Sequence, residues 1–211
     1  MSSARLLRLS GLAAIVGAAL SVVAQFVGLA MDTGGIVESV SAPAFFVAQG
    51  LWLSSAILAL AGLVGLYAGQ AGHAGSLGLA GFAGAFTGGS LMTGVFWQRL
   101  FDVPWIATQA PALLEAQPMG GGVLAFGLRL SIIVMAAGWM LFGISSFRAG
   151  VYPRIPAVLL IIGAPLLIPG VPSAALPFTV AVVWLGYALF TRQGTAVSVD
   201  SAAAPRMVPA S

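Results

Sequence analysis

Six long apolar segments constrain what this chain can fold into more than any other feature of its sequence. A helix needs roughly 20 mainly apolar residues to cross the hydrocarbon core of a bilayer. Backbone groups in lipid can be satisfied only in helices or closed barrels, and these segments lack the alternation of barrel strands. We therefore predict an all-α, polytopic bundle of six transmembrane helices within residues 1–191. Its predicted spans are about 9–31, 43–69, 77–98, 121–147, 155–169 and 173–191.

The composition agrees with a protein that uses lipid as its main solvent. Of the 211 residues, 60% are hydrophobic and 6% are charged, whereas about 25% of the residues of a typical soluble domain are charged. A water-facing surface cannot be built from so few charges. We expect a multi-pass protein of the cell membrane whose nearest partner is membrane lipid.

The first apolar segment has two interpretations. Arg5 and Arg8 precede it, as basic residues precede the apolar core of a signal peptide, and residues 22–24 (VVA) resemble a cleavage site. The uncharged run over 9–31 is longer than the usual signal-peptide core of roughly 7–15 residues. Its length favours an uncleaved first transmembrane helix.

The arginines predict the orientation of the bundle, because cytoplasmic segments of membrane proteins carry an excess of basic residues. With the amino terminus inside, the inner segments hold six arginines and the outer segments hold Arg99 alone. An odd number of spans would remove this bias. Both termini are therefore predicted to be cytoplasmic. The inner arginines are Arg5, Arg8, Arg148, Arg154, Arg192 and Arg206, and the outer acids are Asp32, Glu38, Asp102 and Glu115.

Residue types that are absent or rare exclude several functional classes. The chain has no cysteine, and its basic residues are all arginines, which excludes disulfide frameworks, thiol redox chemistry and lysine Schiff bases. His73 is the single histidine, so neither a bis-histidine haem nor a histidine-rich metal site can form within one chain. The scattered arginines form no basic patch, which argues against nucleic acid as a partner. We expect no cofactor and no metal.

Two stretches of similar sequence suggest repeated helical hairpins. Residues 48–54 in the second span, AQGLWLS, match residues 125–131 in the fourth, AFGLRLS. Both spans are predicted to run from outside to inside, so the repeat would be parallel rather than inverted. Chance similarity in low-complexity apolar sequence explains the match equally well.

The third span carries small residues at every fourth position on two neighbouring faces. Such ridges let helix backbones approach closely in lipid. We expect this helix to lie at the centre of the bundle, with a contact between copies of the chain as the alternative. The small residues are Ala80, Gly84 and Gly88 on one face and Gly81, Ala85 and Gly89 on the other.

Three irregular segments connect or end the predicted spans. The fifth span contains Pro156, Pro165 and Pro169, which should bend the helix or end it early. A tight outer turn is the simpler interpretation, and a broken helix that lines a site is the alternative. The outer loop, residues 99–120, is predicted to form a short interfacial helix or a re-entrant cap. The tail, residues 192–211, is predicted to be disordered.

The loop between the fourth and fifth spans carries a motif that resembles a known family. Residues 143–163 read GxxxxRAGVYPRIPAVLLIIG. The motif resembles a signature of a bacterial family of small six-span membrane proteins of unknown function. The resemblance implies a six-helix protein of a bacterial inner membrane, and it implies no particular activity. Its matching residues are Arg148, Gly150, Pro153, Arg154, Leu159, Leu160 and Gly163.

Arg129 is the one charge inside a predicted span and is the leading candidate for a ligand site. An arginine near the centre of a span costs about 2.5–3.5 kcal/mol on the insertion scale, so it needs a partner or an aqueous cavity. We predict an outer-half pocket in which Arg129 meets an acid and binds an anionic or lipid-like molecule. A structural ion pair, or snorkelling to the outer surface, is the simpler interpretation. The other candidate residues of this pocket are Glu115, Asp102, Gln49, Gln25 and Gln98.

Three functions fit these residues. No nucleophile elbow, phosphate loop or dinucleotide fingerprint is present, and no catalytic residue is predicted. An accessory or structural membrane subunit, which binds a protein partner or a second copy of itself, is favoured. A binder or transporter of a lipid-like or small anionic molecule, through the pocket around Arg129, is the alternative. A lipid-modifying enzyme ranks last, since only scattered acids are available for acid–base chemistry.

Overall fold

The computed structural model describes residues 3–30, 35–116, 122–168 and 175–191. In these ranges the chain is helical, without a β-strand. Seven α-helices and one 3-10 turn follow one another along the described ranges. They are α1 (Ser3–Leu29), α2 (Ile36–Ser41), α3 (Pro43–Gln109), α4 (Pro111–Ala116), α5 (Gly122–Ala149), α6 (Arg154–Gly163), the 3-10 turn (Pro165–Leu167) and α7 (Leu176–Thr191).

Among the described residues, three helices have the length and composition that a membrane crossing requires. They contain the segments Ala4–Leu29, Pro43–Gln109 and Ala125–Ala149, with mean hydropathy of 2.2, 1.9 and 1.9. Two further apolar segments, Arg154–Leu167 and Leu176–Thr191, are shorter. The all-α prediction is confirmed for the described residues. The count of six crossings, the orientation and the hairpin repeat stay predictions.

The longest helix, α3, is broken at Gly75 and folds back on itself. Gly75 has a φ of 58° and a ψ of −165°, a conformation that is open to glycine and strained for other residues. The two arms, residues 43–74 and 76–109, pack side by side, and the rings of Tyr67 and Phe82 stack with their centroids 4.5 Å apart. The predicted second and third spans are therefore joined by a one-residue break rather than by an inner loop of several residues.

The second arm of α3 is longer than its predicted span. It continues through Pro104 to Gln109, about 16 Å beyond Gln98 at roughly 1.5 Å per residue. Helix α4 follows almost at once. The described part of the predicted outer loop, residues 99–120, is thus mainly helical, and α4 is a short helix of the kind predicted for it.

The proline-rich fifth segment ends early, as the sequence predicts. Helix α6 stops at Gly163 and gives way to the turn Pro165–Leu167. A proline lacks the amide hydrogen that would continue the helical ladder. The predicted disordered tail, residues 192–211, lies outside the described residues.

The long segments pack as a ring in which each one neighbours the next along the chain. Helix α1 packs against the first arm of α3, the second arm against α5, α5 against α6, and α6 against α7. Contacts between α7 and α1 close the ring. Neighbouring segments are antiparallel, so the bundle has two ends. The terminal end contains Ser3, Gly75, Gly150 and Thr191, and the distal end contains Leu29, Pro43, Gln109 and Gly122.

Small residues bring the helix backbones of the ring into direct contact. Gly138 of α5 faces the backbone of Ala85, and Gly81 of the second arm faces the backbone of Phe142. Helices in lipid associate through such close van der Waals contact rather than through the hydrophobic effect. Four of the six small residues predicted in the third span, Gly81, Gly84, Ala85 and Gly88, thus pack inside the chain against α5. Ala80 is exposed, and Gly89 faces Leu60 of the first arm.

A second, smaller core lies at the distal end, beside the ends of the two arms of α3. Val40 of α2, Phe45 of the first arm and Ala107 of the second arm are buried in it. Val103 of the second arm and Leu114 of α4 pack against them. Helices α2 and α4 therefore form a cap on the α3 hairpin.

Replacing Gly75 with alanine tests the break in α3. Nothing lies within 4 Å of the position that a Cβ would take at Gly75 or at Gly72, so neither substitution creates a clash. Gly75→Ala must keep a positive φ and should lower the free energy of unfolding by about 1–3 kcal/mol. Gly72→Ala, the matched control, should leave it unchanged or raise it. Thermal unfolding in detergent measures both, and equal midpoints for the two variants would contradict the observed break.

Replacing Gly138 with alanine tests the contact between α5 and the second arm of α3. The added Cβ would overlap backbone atoms of Gly84 and Ala85, and overpacking of this kind costs about 1–3 kcal/mol. Gly127, on the same helix, has open space at its Cβ position, so Gly127→Ala should be neutral or stabilising. The thermal midpoint, followed by circular dichroism, should fall for Gly138→Ala alone. An unchanged midpoint would mean that this contact contributes nothing to the bundle.

Candidate functional site

A cavity of about 270 Å³ lies at the centre of the ring, toward its distal end. Its lining comes from α1, both arms of α3, α5, the turn Pro165–Leu167 and α7. These segments surround one partly open space, and several of the side chains that line it are small. The small residues are Gly17, Ala18, Ala56, Ala59, Ala85 and Gly89.

Aromatic rings form much of the cavity wall. Trp52 and Phe96 stack across the two arms of α3, with their centroids 5.4 Å apart. Trp139 of α5 meets the ring of Phe178 of α7 edge-on, at a centroid distance of 5.4 Å. Met135 adds a flexible thioether that can adapt its shape to an occupant. None of the described residues that line the cavity is charged, so the space suits an uncharged, apolar molecule.

Among the described lining residues, three carry hydroxyl groups: Ser21, Ser55 and Thr179. The Ser21 Oγ donates a hydrogen bond to the carbonyl oxygen of Ala18, at 2.7 Å. The Thr179 Oγ1 donates to the carbonyl oxygen of Ala175, at 3.1 Å. Each bond lies within its own helix. Each hydroxyl hydrogen therefore has an acceptor, and neither bond links neighbouring helices.

Large buried side chains fill the ring between the cavity and the terminal end. Leu63, Leu66, Phe142, Leu160 and Leu185 are each no more than 1% exposed. They belong to one continuous core. Close packing at this level separates the cavity from the terminal end of the bundle.

Hydrogen bonds from Ser145, Ser146 and Tyr152 join α5 and the turn after it to the first arm of α3 at the terminal end. We call this group of bonds the latch. The Tyr152 hydroxyl donates to the carbonyl oxygen of Leu66, at 2.8 Å. The Ser146 Oγ donates to Gln70 Oε1, also at 2.8 Å. Ser145 makes a similar bond to a backbone carbonyl of the first arm. All of these side chains are buried, where hydrogen bonds are strengthened by the low local dielectric.

The six residues predicted for a ligand site lie toward the distal end, on five different segments. None of them is among the described residues that line the cavity. The predicted pocket around Arg129 is therefore a different place from the observed cavity, and ligand binding there stays a prediction. By exposure, the six are Gln49 (buried), Gln25 and Gln98 (half-buried), and Asp102, Glu115 and Arg129 (exposed).

Arg129 lies on the side of α5 that faces away from the centre of the ring. Phe126 and Ile133, about one turn away on either side along α5, are 67% and 47% exposed. The cavity-lining residues of the same helix are Ile132, Met135 and Trp139. A long side chain near the end of a helix can reach the polar region of a bilayer from such a position.

The sequence carries little signal for the cavity beyond its small residues. In the second arm, Gly88 contacts the backbone of Met135, whereas its neighbour Gly89 lines the cavity. The same residue type thus gives either a helix contact or a void. Which of the two results depends on the residue opposite, and that residue lies on another helix.

Neither metal-site geometry nor similarity to known proteins adds a functional assignment. Across the described ranges, no group of three or more histidine, cysteine or acidic side chains is placed to hold a metal ion. Comparison of the chain with models of known protein families, with curated proteins and with solved structures found no match.

Removing the Tyr152 hydroxyl tests the latch. Tyr152→Phe takes away the hydrogen bond to Leu66 and keeps the ring, so it should lower the free energy of unfolding by about 1 kcal/mol. Tyr187→Phe is the matched control, because Tyr187 is 59% exposed on α7. Thermal midpoints in detergent measure the difference. Equal midpoints for the two variants would mean that the latch does not stabilise the terminal end.

Proposed function

We propose that this chain is a multi-pass membrane protein that binds an uncharged, lipid-like molecule in its central cavity. The observation that carries the proposal is the partly open, apolar cavity of about 270 Å³ that the helices of the ring line. This role ranks ahead of the accessory or structural subunit that the sequence favours, because a purely structural subunit needs no cavity. It also replaces the anionic ligand with a neutral one, since no described lining residue is charged.

The size of the cavity supports an occupant. Protein interiors are close-packed, with few voids larger than a water molecule. An unfilled space of this size leaves its lining side chains without contacts on one side, which costs van der Waals energy unless a molecule fills it. An occupant that fills the space removes much of this cost. An apolar cavity of about 150 Å³ holds benzene, so this one has room for a larger molecule or a segment of an alkyl chain.

The proposed topology has six membrane crossings: α1, the two arms of α3, α5, α6 with its 3-10 turn, and α7. The segment Arg154–Leu167 reaches about 21 Å at roughly 1.5 Å per residue, which is less than the ~30 Å of a typical hydrocarbon core. Local thinning of the bilayer accommodates a short segment. The resemblance of residues 143–163 to a six-span bacterial family supports the same count.

The proposed orientation places the terminal end in the cytoplasm of the cell. Four described arginines lie toward that end, and the three described acids lie toward the distal end. Basic residues are enriched on the cytoplasmic side, where they attract anionic lipids. The cavity then lies in the extracytoplasmic half of the membrane. The arginines are Arg5, Arg8, Arg148 and Arg154, and the acids are Glu38, Asp102 and Glu115.

Quenching of tryptophan fluorescence by bromodecane tests the proposed binding. Trp52 and Trp139 line the cavity, whereas Trp97, Trp105 and Trp184 are exposed. We define a two-tryptophan variant in which the three exposed tryptophans are changed to phenylalanine. This variant is reconstituted in lipid nanodiscs. Bromodecane should quench its fluorescence saturably, because the cavity has a limited capacity.

A larger side chain in the cavity wall tests whether bromodecane is quenching from inside the cavity. Ala56→Leu in the two-tryptophan variant places a larger side chain in the cavity wall and should reduce the saturable quenching several-fold. Ala80→Leu is the matched control, because Ala80 is exposed on the second arm of α3. Quenching that rises linearly, and equally in both variants, would report partition into the bilayer and contradict the proposal. Copurification of a stoichiometric protein partner, with no lipid-like molecule bound in native mass spectrometry, would favour the accessory subunit instead.

A further inference from the structure

The hydroxyl groups in the cavity wall restrict what the cavity can bind. A carbonyl oxygen cannot donate a hydrogen bond, so the hydrogen of Ser21 Oγ points to Ala18 and that of Thr179 Oγ1 points to Ala175. A hydroxyl has one hydrogen and two acceptor lone pairs. Both groups therefore offer lone pairs to an occupant, and the occupant must supply the hydrogen.

Ser21 and Thr179 lie at the same level on neighbouring helices. Helices α1 and α7 are antiparallel, and Gly186 of α7 faces Ala14 of α1. Thr179 lies about two turns, roughly seven residues, from Gly186 toward the distal end of α7. Ser21 lies the same distance from Ala14 toward the distal end of α1. Both residues line the cavity, so their oxygens border the same space.

Ser55 places a third hydroxyl near the same level. It is 6% exposed and lines the cavity. Its carbonyl oxygen lies 3.1 Å from the position that a Cβ of Gly17 would take, and Gly17 is about one turn from Ser21 on α1. The Ser55 hydroxyl can donate or accept. A hydroxyl group on the occupant does both, so it is complementary to all three residues.

No described residue of the cavity lining carries a charge that would neutralise a charged occupant. Arg129 lies outside the cavity. A carboxylate or phosphate in such a space would lose its hydration without gaining a partner, which is strongly unfavourable. An ester or ketone can accept a hydrogen bond from Ser55, but it leaves the acceptor lone pairs of Ser21 and Thr179 without a donor.

We infer that the occupant is an uncharged amphiphile of the alcohol class. Its alkyl chain fills the apolar space, and its hydroxyl group donates a hydrogen bond to Ser21 or Thr179. The inference rests on the proposed function, because it concerns the same cavity, and it adds the chemical class of the ligand.

Competition between matched straight-chain probes tests the ligand class. Decane, decanol and decanoate, at equal mole fraction in the nanodisc, compete with bromodecane in the two-tryptophan variant. Decanol should displace bromodecane about three- to tenfold better than decane, as expected for one net hydrogen bond. Decanoate at neutral pH should displace it least, because its charge has no partner in the cavity.

Removing the acceptor hydroxyls should weaken and then remove the preference for decanol. In Ser21→Ala combined with Thr179→Val, the ratio of displacement by decanol to displacement by decane should fall, and adding Ser55→Ala, which removes the third hydroxyl of the described lining, should bring it to about 1. Ser131→Ala is the matched control. The Ser131 Oγ also donates to a carbonyl of its own helix, that of Gly127 at 2.8 Å, but Ser131 is not among the cavity-lining residues. The control should keep the preference for decanol.

The outcomes separate the ligand class from the proposed function. Saturable bromodecane quenching without a preference for decanol, or with a preference that survives replacement of Ser21, Ser55 and Thr179 together, would overturn the alcohol assignment and leave the lipid-binding cavity intact. Displacement by decanoate as strong as displacement by decanol would overturn it as well. Absence of saturable bromodecane quenching would overturn both proposals.

Discussion

Direct contact between helix backbones holds this bundle together, and the rest of the structure depends on it. Lipid chains are as apolar as the helix surfaces, so burial of apolar area gives helices in a membrane little reason to associate. Close van der Waals contact does, and it requires small side chains where helices cross. Gly138 against Ala85, and Gly186 against Gly11, supply such contacts on opposite sides of the ring.

Small residues also create the cavity where the inward faces do not meet. At the terminal end, Phe142 and Leu66 fill the centre of the ring and the latch ties its segments together. Toward the distal end, small residues such as Ala56 line a partly open space whose wall includes aromatic rings. The bundle is therefore closely packed toward its terminal end and contains a cavity toward its distal end. This asymmetry is the physical basis for proposing a binding role rather than a purely structural one.

The sequence indicates a ligand site at a charged residue, whereas the structure contains a cavity whose described lining is uncharged. Arg129 stands out in the sequence because any charge within an apolar run is costly. In the folded chain it is exposed on the outer face of α5. Ser21 and Thr179 are inconspicuous in the sequence, since hydroxyls bonded to their own helix are ordinary in such segments. The packing of α1 beside α7 is what brings them to one cavity, and no pattern within either helix predicts that packing.

The sequence by itself determined the all-helical class, the approximate limits of most helices and the early end of α6. These properties are local, because long apolar runs permit few structures in lipid and prolines interrupt a helix wherever they stand. The tertiary structure decided that Gly75 breaks α3 into a hairpin, that α7 closes the ring on α1, and that the inward faces leave a cavity. Each of these outcomes depends on which side chains meet across helices that are distant in sequence, and that pairing exists only once the chain has folded.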